Sequence, residues 1–357
     1  SAEAIRELVG AHAYHRAAAT VASTVLDDPA GYGRIVRGEG GGFARIAETK
    51  AAGDASSEEL AIREVNTGVY VFDGAALLAA LPRLSADNAQ GELYLPDVLT
   101  ILQDDGATVA VHEVRDPAIV LGINDRVQLA QARELARRRI VEAHQRAGVD
   151  VIDPGSTHID AGVELGQDTV VEPFTILRGA TRAGEGCRIG PQTTLIDMTL
   201  GDDVTILHAY GTSAEIGDGV SVGPFAYLRP GTVLRERSKV GTFVEVKNSD
   251  VGAGTKVPHL SYVGDADIGP GTNLGAGTIT ANYDGTHKHR TTIGADVKGG
   301  VDVSLVAPVT LGDRSWTAAG SVITDDVPPG ALGIARERQA NVDGYDARRR
   351  PPKEDGS

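Results

Sequence analysis

Residues 216–246 have the sequence IGDGVSVGPFAYLRPGTVLRERSKVGTFVEV, in which an aliphatic residue returns at every sixth position. The positions that share this spacing are Ile216, Val222, Leu228, Leu234, Val240 and Val246. Two shorter series lie on either side, and they are Ile159, Leu165, Val171 and Leu177, then Leu305, Leu311, Thr317 and Ile323. A period of six with one inward aliphatic residue per repeat is typical of the hexapeptide repeats of a parallel β-helix.

Aliphatic–glycine pairs such as Ile216-Gly217 and Val240-Gly241 recur through the same region. Each hexapeptide is expected to supply one short strand and one corner, where glycine lets the backbone turn. If three hexapeptides close a coil, residues 159–323 predict about nine coils.

The sequence before the repeats predicts other elements. Residues 125–147 predict a helix that Asn124 or Asp125 caps and Gly148 ends, with Arg137, Arg138 and Arg139 facing solvent. Residues 1–123 predict mixed α/β structure with a glycine-rich tip or hairpin at Gly38–Phe43. The predicted strands are Ala17–Leu26 and Val65–Phe72, and the predicted helices are Ala75–Leu84 and Tyr94–Leu102.

The composition excludes several classes of protein. Aromatic residues make up only 4% of the 357 residues, while glycine occurs 45 times, which favours many short strands. A net charge of −15 argues against nucleic acid as a partner. The single cysteine, Cys187, excludes a disulfide framework and fits the cytoplasm, and no apolar run is long enough for a membrane span. Because the chain starts at Ser1 and its one methionine is Met198, we expect a fragment of a longer protein.

Eight sequence islands stand in an order that resembles one known family. They are GYGR at 31–34, EVN at 64–66, GIN at 122–124, YLRPGT at 227–232, FVEVKN at 243–248, PHLSYVGD at 258–265, NLGAGT at 273–278 and NYDG at 282–285. Over essentially its whole length the chain is similar to the bifunctional N-acetylglucosamine-1-phosphate uridyltransferases / glucosamine-1-phosphate acetyltransferases.

The resemblance implies a domain order and an assembly. Residues 1–123 would be the α/β remnant of a Rossmann-like uridyltransferase (nucleotidyltransferase) domain, and 124–150 a linker helix. Residues 151–340 would form a left-handed parallel β-helix that carries acetyltransferase activity, and 341–357 a mobile tail. The family likeness also implies a homotrimer whose acetyl-transfer sites lie between neighbouring subunits.

The implied reaction moves the acetyl group of acetyl-CoA onto the amine of glucosamine 1-phosphate. This reaction needs a general base and a phosphate clamp, and imidazole exchanges protons near neutral pH. By family likeness His259 is the base and Glu245 orients it. The residues that match sugar-phosphate ligands are Arg229, Lys247, Tyr262, Asn273 and Lys288. Taken singly, His259 could equally be a histidine packed at a corner, and the others ordinary surface groups.

A further set of residues matches the acetyl-CoA contacts of the family: Ala276, Asn282, Tyr283, Val301, Ala319 and Arg336. Val301 stands where the family usually carries serine beside the thioester. Loss of one hydrogen-bond donor there predicts slower acetyl transfer rather than none. Trp316 stands where a smaller residue is expected, and it would change the packing of the CoA end.

In the first domain, Gly33, Glu48, Asn66 and Asn124 match UDP-sugar contacts, and Asn124 also matches a magnesium ligand. The family's triphosphate loop and its magnesium-binding aspartate have no counterpart in this sequence. One neutral amide does not hold Mg²⁺ alone. We therefore expect Mg²⁺ binding and UMP transfer to N-acetylglucosamine 1-phosphate only in the intact protein.

Other functions remain open at this stage. The β-helix could be a non-catalytic trimeric scaffold, or it could serve a sugar nucleotidyltransferase only as a structural element. A metal-dependent hydratase would need three converging histidines, and His208 and His259 lack a third. His287 and His289 could be a zinc pair, although alternating histidines are common on solvated strand edges.

Overall fold

The computed structural model describes residues 2–49, 55–86, 93–116, 118, 123 and 125–350. The chain divides into two compact units, residues 1–132 and 133–357. Among the described helices, none combines the length and the apolar character that a membrane crossing requires.

A small α/β sheet forms the first unit. Its strands, in the described residues, are β1 (Ala19–Val25), β2 (Arg34–Arg37), β3 (Phe43–Ala47), β4 (Glu64–Phe72) and β5 (Val109–Glu113). They lie in the order β3-β2-β4-β1-β5, and only the β1–β5 pair is parallel. The helices are α1 (Ala2–His15), α2 (Ser57–Leu60), α3 (Gly74–Ala80) and α4 (Asp97–Asp104). Apolar residues such as Val21, Ile35 and Leu99 are buried together in its core.

The sequence predicted part of this unit. The strands expected at Ala17–Leu26 and Val65–Phe72 are confirmed as β1 and β4, and the turn at 38–42 joins β2 to β3. The helix expected to run to Leu84 ends at Ala80 and continues as a 3-10 turn, Leu81–Arg83, because Pro82 lacks an amide hydrogen. The helix expected from Tyr94 begins three residues later, at Asp97. Strands β2, β3 and β5 and helices α1 and α2 were not predicted.

Helix α5 (Arg126–Arg146) confirms the helix expected at 125–147. The carboxylate of Asp125 caps it by accepting a 2.7 Å hydrogen bond from the amide of Gln128, and Gly148 follows it with a φ of +95°. Arg137 was expected to face solvent, and this is wrong. Its guanidinium donates to the carbonyl of Gly155 at 2.5 Å and to Glu134, so its side chain is only 16% exposed. This bond ties α5 to the first coil of the repeats.

Residues 150–333 form the parallel β-helix that the hexapeptide period predicts, and it is left-handed, as the family resemblance implies. Three flat faces enclose a continuous apolar core. The ten-stranded face consists of His158–Ile159, Ile176–Arg178, Thr194–Ile196, Tyr210–Thr212, Tyr227–Leu228, Glu245–Lys247, Tyr262–Gly264, Ile279–Ala281, Ser304–Val306 and Val322–Ile323. The nine-stranded face consists of Glu164–Leu165, Arg182–Ala183, Thr199–Leu200, Glu215–Ile216, Val233–Leu234, Asp250–Val251, Ala266–Ile268, Thr291–Ile293 and Val309–Leu311.

The seven-stranded face consists of Asp150–Val151, Val170–Val171, Arg188–Ile189, Thr205–Ile206, Ser221–Val222, Lys239–Thr242 and Lys256–His259. Single bridges extend it from Lys256 to Asn273, from there to Lys298, and on to Trp316. The last pair of strands, Trp316–Thr317 and Leu332–Gly333, closes this face. The tail beyond contains one short helix, α6 (Tyr345–Arg349).

The first corner joins the seven-stranded face to the ten-stranded face. One residue per coil takes a positive φ there: Phe174, Gln192, His208, Phe225, Phe243, Leu260, Gly277, Asp302 and Gly320. Bulky residues occupy this corner as far as Leu260, and Gly277, Asp302 and Gly320 follow. The side chains at this corner are therefore larger up to the coil of His259 and smaller in the coils that follow it.

One coil is longer than the rest. Tyr262 pairs with Ile279, 17 residues on, whereas Ile279 pairs with Ser304, 25 residues on. The extra residues form the loop 282–290, which leaves the prism between two faces. The register of the strands on either side of this loop is undisturbed, since their inward residues stay buried.

Candidate active site

Three outward side chains on the ten-stranded face begin the site. Tyr227, Glu245 and Tyr262 stand opposite one another on neighbouring strands, while Val246 and Val263 point into the core. Arg229 follows the first of these strands, and its Nη1 donates to Oε1 of Glu245 at 2.8 Å. This hydrogen bond raises the pKa of the guanidinium. The hydrogen bond to Glu245 holds Arg229 on the outward side of the ten-stranded face.

Two lysines extend the positive charge. Nζ of Lys247 lies 3.4 Å from Oδ2 of Asp265. Lys288, from the loop 282–290, lies beside Lys247, and the hydrogen bond and the charge of that neighbour lower the pKa of Lys288. The charge of Arg229 acts on it in the same direction. Three cations thus converge on one patch, which we call the cation cluster: Arg229, Lys247 and Lys288.

Asp265, a buried residue that pairs with Lys247 of the cluster, was not predicted from the sequence. It is only 5% exposed, and it accepts hydrogen bonds from the side-chain amides of Asn248, at 2.6 Å, and Asn282. Burial opposes its charge, but these hydrogen bonds and Lys247 outweigh burial and lower its pKa. A short polar residue that follows a Gly at a coil corner was the only sequence signal for this role.

Tyr262 needs the glycine that follows two residues later. A Cβ on Gly264 would lie 2.3 Å from Oη of Tyr262, so the phenol occupies space that any other residue at position 264 would fill. Nδ2 of Asn282 donates to the same Oη at 3.4 Å. Asn282, predicted as an acetyl-CoA contact, is therefore buried between Tyr262 and Asp265 in this chain.

His259 lies at the end of a strand of the seven-stranded face, with its imidazole exposed. Its carbonyl accepts from the amide of Gly277 at 3.1 Å and from the hydroxyl of Ser261 at 3.0 Å, which fixes its backbone. Within the described residues no hydrogen bond joins its ring to Glu245, which bonds to Arg229 instead. The orienting role of Glu245 stays a prediction.

The predicted sugar ligands do not all meet within one chain. Asn273 lies exposed on the seven-stranded face, bridged to Lys256 and Lys298, whereas the cation cluster and Tyr262 belong to the ten-stranded face. A substrate that touches both sets would have to lie across the first corner or between two copies of the chain.

Four of the six residues predicted for acetyl-CoA form a column along the first corner. The amide of Asp302 donates to the carbonyl of Ala276 at 2.7 Å, and the amide of Gly320 donates to the carbonyl of Val301 at 2.9 Å. Nη1 of Arg336 donates to the carbonyl of Ala319 at 2.8 Å. The structure thus brings Ala276, Val301, Ala319 and Arg336 into line, and Val301 is 54% exposed.

The loop 282–290 is a tight hairpin. Tyr283 bridges Lys288, and its hydroxyl donates to the carbonyl of Gly285 at 2.7 Å. Oδ1 of Asp284 accepts from the amides of Thr286, at 2.7 Å, and His287, at 2.6 Å. Its Oδ2 lies 2.7 Å from Nε2 of His289. His289 is thus engaged with a carboxylate, and the described residues contain no group of three potential ligands that would hold a metal.

Acid is expected to loosen this hairpin. Hydrogen bonds from the amide of His287, from His289 and from the amide of Thr286 lower the pKa of Asp284 to about 2. A carboxylate with a lowered pKa stabilises the fold above its unfolded pKa of about 4, and this contribution is lost as the pH falls through about 2. An NMR titration of the Asp284 carboxyl carbon should therefore have its midpoint near 2. A midpoint near 4 would contradict the hydrogen bonding described, and Asp284→Asn, which removes the signal, would assign it.

The first unit brings together three of its four predicted site residues. The amide of Asn66 donates to the carbonyl of Gly33 at 2.8 Å, and a Cβ on Gly33 would lie 3.5 Å from the carboxylate of Glu48. Sequence reasoning missed Tyr70. Its hydroxyl accepts a hydrogen bond from Nδ2 of Asn66 at 2.7 Å and lies within donating distance, 3.0 Å, of Oδ1 of the same side chain. Burial raises the pKa of Tyr70 to about 12. Asn124 lies outside the described residues.

Known proteins resemble this chain along almost its whole length. It is 54% identical over 347 residues to the bifunctional protein GlmU of Mycolicibacterium vanbaalenii, a match that covers 97% of the chain and 70% of that protein. The chain belongs to the GlmU family. It is also 53% identical over 350 residues to the GlmU protein of Mycobacterium bovis, with 98% and 70% covered. This confirms the resemblance drawn from the sequence islands, although no family model matches.

Solved structures align with part of this chain at low identity and low TM-score. A UDP-N-acetylglucosamine acyltransferase of Francisella novicida superposes with a TM-score of 0.40 at 15% identity, covering 55% of this chain and 72% of that one. A polySia-specific acetyltransferase superposes with a TM-score of 0.22 at 17% identity, covering 56% and 91%.

Proposed function

We propose that this chain is a glucosamine-1-phosphate N-acetyltransferase, which moves the acetyl group of acetyl-CoA onto the sugar amine in the synthesis of UDP-N-acetylglucosamine. The observation that carries the proposal is the cation cluster of Arg229, Lys247 and Lys288 within a chain of net charge −15. Charge-assisted hydrogen bonds from arginine and lysine are the usual means of holding a phosphate.

The cation cluster suits a sugar phosphate better than a neutral sugar. Its charges are only partly balanced by Glu245 and Asp265, so a phosphate adds the missing negative charge. It would also relieve the repulsion between Lys247 and Lys288 that lowers the pKa of Lys288. Tyr262 lies beside these cations, where it would hold the sugar ring.

His259 completes the chemistry. The sugar ammonium first loses one proton to water, and the free amine then attacks the thioester carbonyl while the exposed imidazole takes a second proton from the attacking nitrogen. The C–N bond forms as the carbonyl electrons move to oxygen, and collapse of this tetrahedral intermediate breaks the C–S bond. The CoA thiolate leaves and recovers the proton from the imidazolium. Atoms and charge balance without a metal, and acetyl-CoA is a co-substrate held along the first corner.

The separation of Asn273 and the cation cluster onto different faces supports a homotrimer. In such an assembly the first corner of one copy, and not its whole seven-stranded face, lies against the ten-stranded face of the next. Asn273 and His259 of one subunit would then face the cation cluster of its neighbour, and a Glu245 from that neighbour could orient the imidazole. We also place the reaction in the cytoplasm, where acetyl-CoA is available.

Gly33, Glu48, Asn66 and Tyr70 are the residues that we propose to contact a UDP-sugar in the first unit. Within the described residues no three His, Cys, Asp or Glu side chains come together to hold a metal, and Asn124 lies outside those residues. Mg²⁺ prefers several oxygen ligands, so we propose its binding only for the intact protein. UMP transfer is proposed only for the intact protein.

Restoring a donor at position 301 is expected to accelerate acetyl transfer. The variant Val301→Ser places a hydroxyl at an exposed point of the acetyl-CoA column, and one donor to a developing oxyanion contributes up to ~10²–10³ in kcat. We expect at least about tenfold, measured as thiol release at saturating substrates. Val301→Ala is the matched control, because it removes bulk without adding a donor. An equal gain in both variants would show relief of crowding instead.

The proposed function is tested by thiol release from acetyl-CoA with glucosamine 1-phosphate, glucosamine or no acceptor. Rapid release with the sugar phosphate and slow release with glucosamine is the expected result. A folded, trimeric protein that releases no thiol with any acceptor would favour the scaffold alternative. Release that does not distinguish the two acceptors would refute the phosphate role of the cation cluster.

A further inference from the structure

The seven-stranded face carries a line of outward residues that includes the only tryptophan of the chain. Lys239, Lys256, Asn273, Lys298 and Trp316 stand opposite one another on successive coils. We call this line the basic stripe. Three of its members are lysines, in a protein whose net charge is −15.

Trp316 and Lys298 are exposed next to each other, and Leu332 follows Trp316 on the last strand of the same face. The indole is 55% exposed, while the next residue, Thr317, is buried in the prism. Within the described residues the ring has no aromatic neighbour in stacking contact, and no ion pair reaches the ammonium of Lys298. An exposed indole beside an unpaired cation presents one flat apolar surface and one positive charge to solvent.

The basic stripe runs beside the acetyl-CoA column. Lys256 precedes His259 by three residues, Asn273 precedes Ala276 by three, and Lys298 precedes Val301 by three. Trp316 stands in the same relation to Ala319. The stripe and the column are therefore parallel lines on one side of the prism, and each position of the column has a neighbour in the stripe.

The distance along this line matches an extended cofactor. Three coil steps separate the coil of His259 from that of Trp316, which is about 14 Å at ~4.8 Å per strand spacing. The pantetheine arm of CoA joins the thioester to a phosphorylated adenosine. If the thioester lies beside His259 and Val301, the nucleotide lies coils away in the direction of Trp316.

We propose that Trp316 and Lys298 form the nucleotide subsite of acetyl-CoA, in which the indole stacks on adenine and the ammonium of Lys298 pairs with a phosphate. This inference rests on the proposed function for the position of the thioester. Aromatic rings stack on bases of any identity, and a lysine is a common point charge for phosphate. Lys256 lies two coils nearer the acyl group and has no part in the subsite.

The first test uses the fluorescence of the single tryptophan. CoA, dephospho-CoA and acetylpantetheine, which has no nucleotide, are titrated while the binding of each is followed by calorimetry. We expect quenching by CoA and dephospho-CoA and none by acetylpantetheine. CoA that binds without any change in emission would overturn the subsite. Because this readout needs no turnover, it remains decisive even if the protein is a scaffold.

The second test separates KM from kcat. Trp316→Ala is expected to raise the KM for acetyl-CoA about 5- to 150-fold with kcat unchanged, since base–aromatic stacking is worth ~1–3 kcal/mol and 1.4 kcal/mol corresponds to tenfold. Trp316→Phe should retain most of the affinity. Lys298→Ala should raise the same KM and weaken its dependence on salt.

Two controls keep this test sharp. Lys239→Ala removes a lysine of the same stripe four coils from Trp316 and should leave the KM for acetyl-CoA unchanged. With acetylpantetheine as the donor, all variants should behave as the parent does. If thiol release proceeds normally and Trp316→Ala leaves the KM for acetyl-CoA unaltered, the subsite is wrong and the proposed function stands.

Discussion

Replacing His259 with alanine is expected to lower kcat for thiol release by about 10²- to 10⁴-fold, the usual contribution of a general base. The imidazole is exposed and its backbone is fixed by Gly277 and Ser261, so its loss should change the chemistry and not the fold. The measurement is the steady-state release of thiol from acetyl-CoA with saturating glucosamine 1-phosphate.

His158→Ala is the matched control for this variant. His158 is also an exposed histidine on a strand of the prism, but it lies on the end strand of the ten-stranded face, four strands away from the strand that precedes Arg229. It should retain the parent rate, and both variants should have the parent Tm. A His259→Ala protein that keeps more than about a tenth of the parent kcat would remove His259 from the role of base.

Replacing Lys247 with alanine is expected to raise the KM for glucosamine 1-phosphate about 100-fold. A hydrogen bond that involves a charged group contributes ~1.5–3 kcal/mol, and 1.4 kcal/mol corresponds to tenfold. The variant also leaves the buried carboxylate of Asp265 without its lysine, and that negative charge would then oppose the phosphate. The measurement is KM for the sugar phosphate at saturating acetyl-CoA.

Lys239→Ala controls for the loss of a lysine elsewhere on the same prism. Glucosamine, which has no phosphate, shows whether Lys247 contacts the phosphate. Its KM is expected to be high already in the parent, and it should not rise further in Lys247→Ala. An equal effect on glucosamine and on its phosphate would show that Lys247 acts on the sugar or on the fold.

The β-helix could be predicted because its physics is local and repeated. Each inward aliphatic residue from Ile216 to Val246 meets the same environment, so the period alone fixes which side chains are buried. The longer coil could not be predicted in this way, since the shape of loop 282–290 depends on single hydrogen bonds to Asp284. In the first unit, a short sheet with mixed pairing offers no such period, and β2, β3 and β5 were missed.

The candidate site was only partly visible in the sequence. The cation cluster came from family resemblance, and the structure adds the groups that hold it, Asp265 and Asn248. Neither carries a chemical signature, because a buried aspartate is recognised only by the cations and amides around it. The separation of Asn273 from the cluster was equally hidden, because residues a few positions apart in sequence lie on different faces.

The close stacking of the coils fixes lengths within this molecule. A Cβ on Gly275 would lie 1.8 Å from the carbonyl oxygen of Gly300, and one on Gly241 would lie 1.4 Å from that of Pro258, so backbone meets backbone with no side chain between coils. Distances along the prism are therefore fixed in whole strand spacings, which side-chain motion does not change. A donor whose arm is shorter or longer than the interval between His259 and Trp316 could engage one end of that interval, but not both.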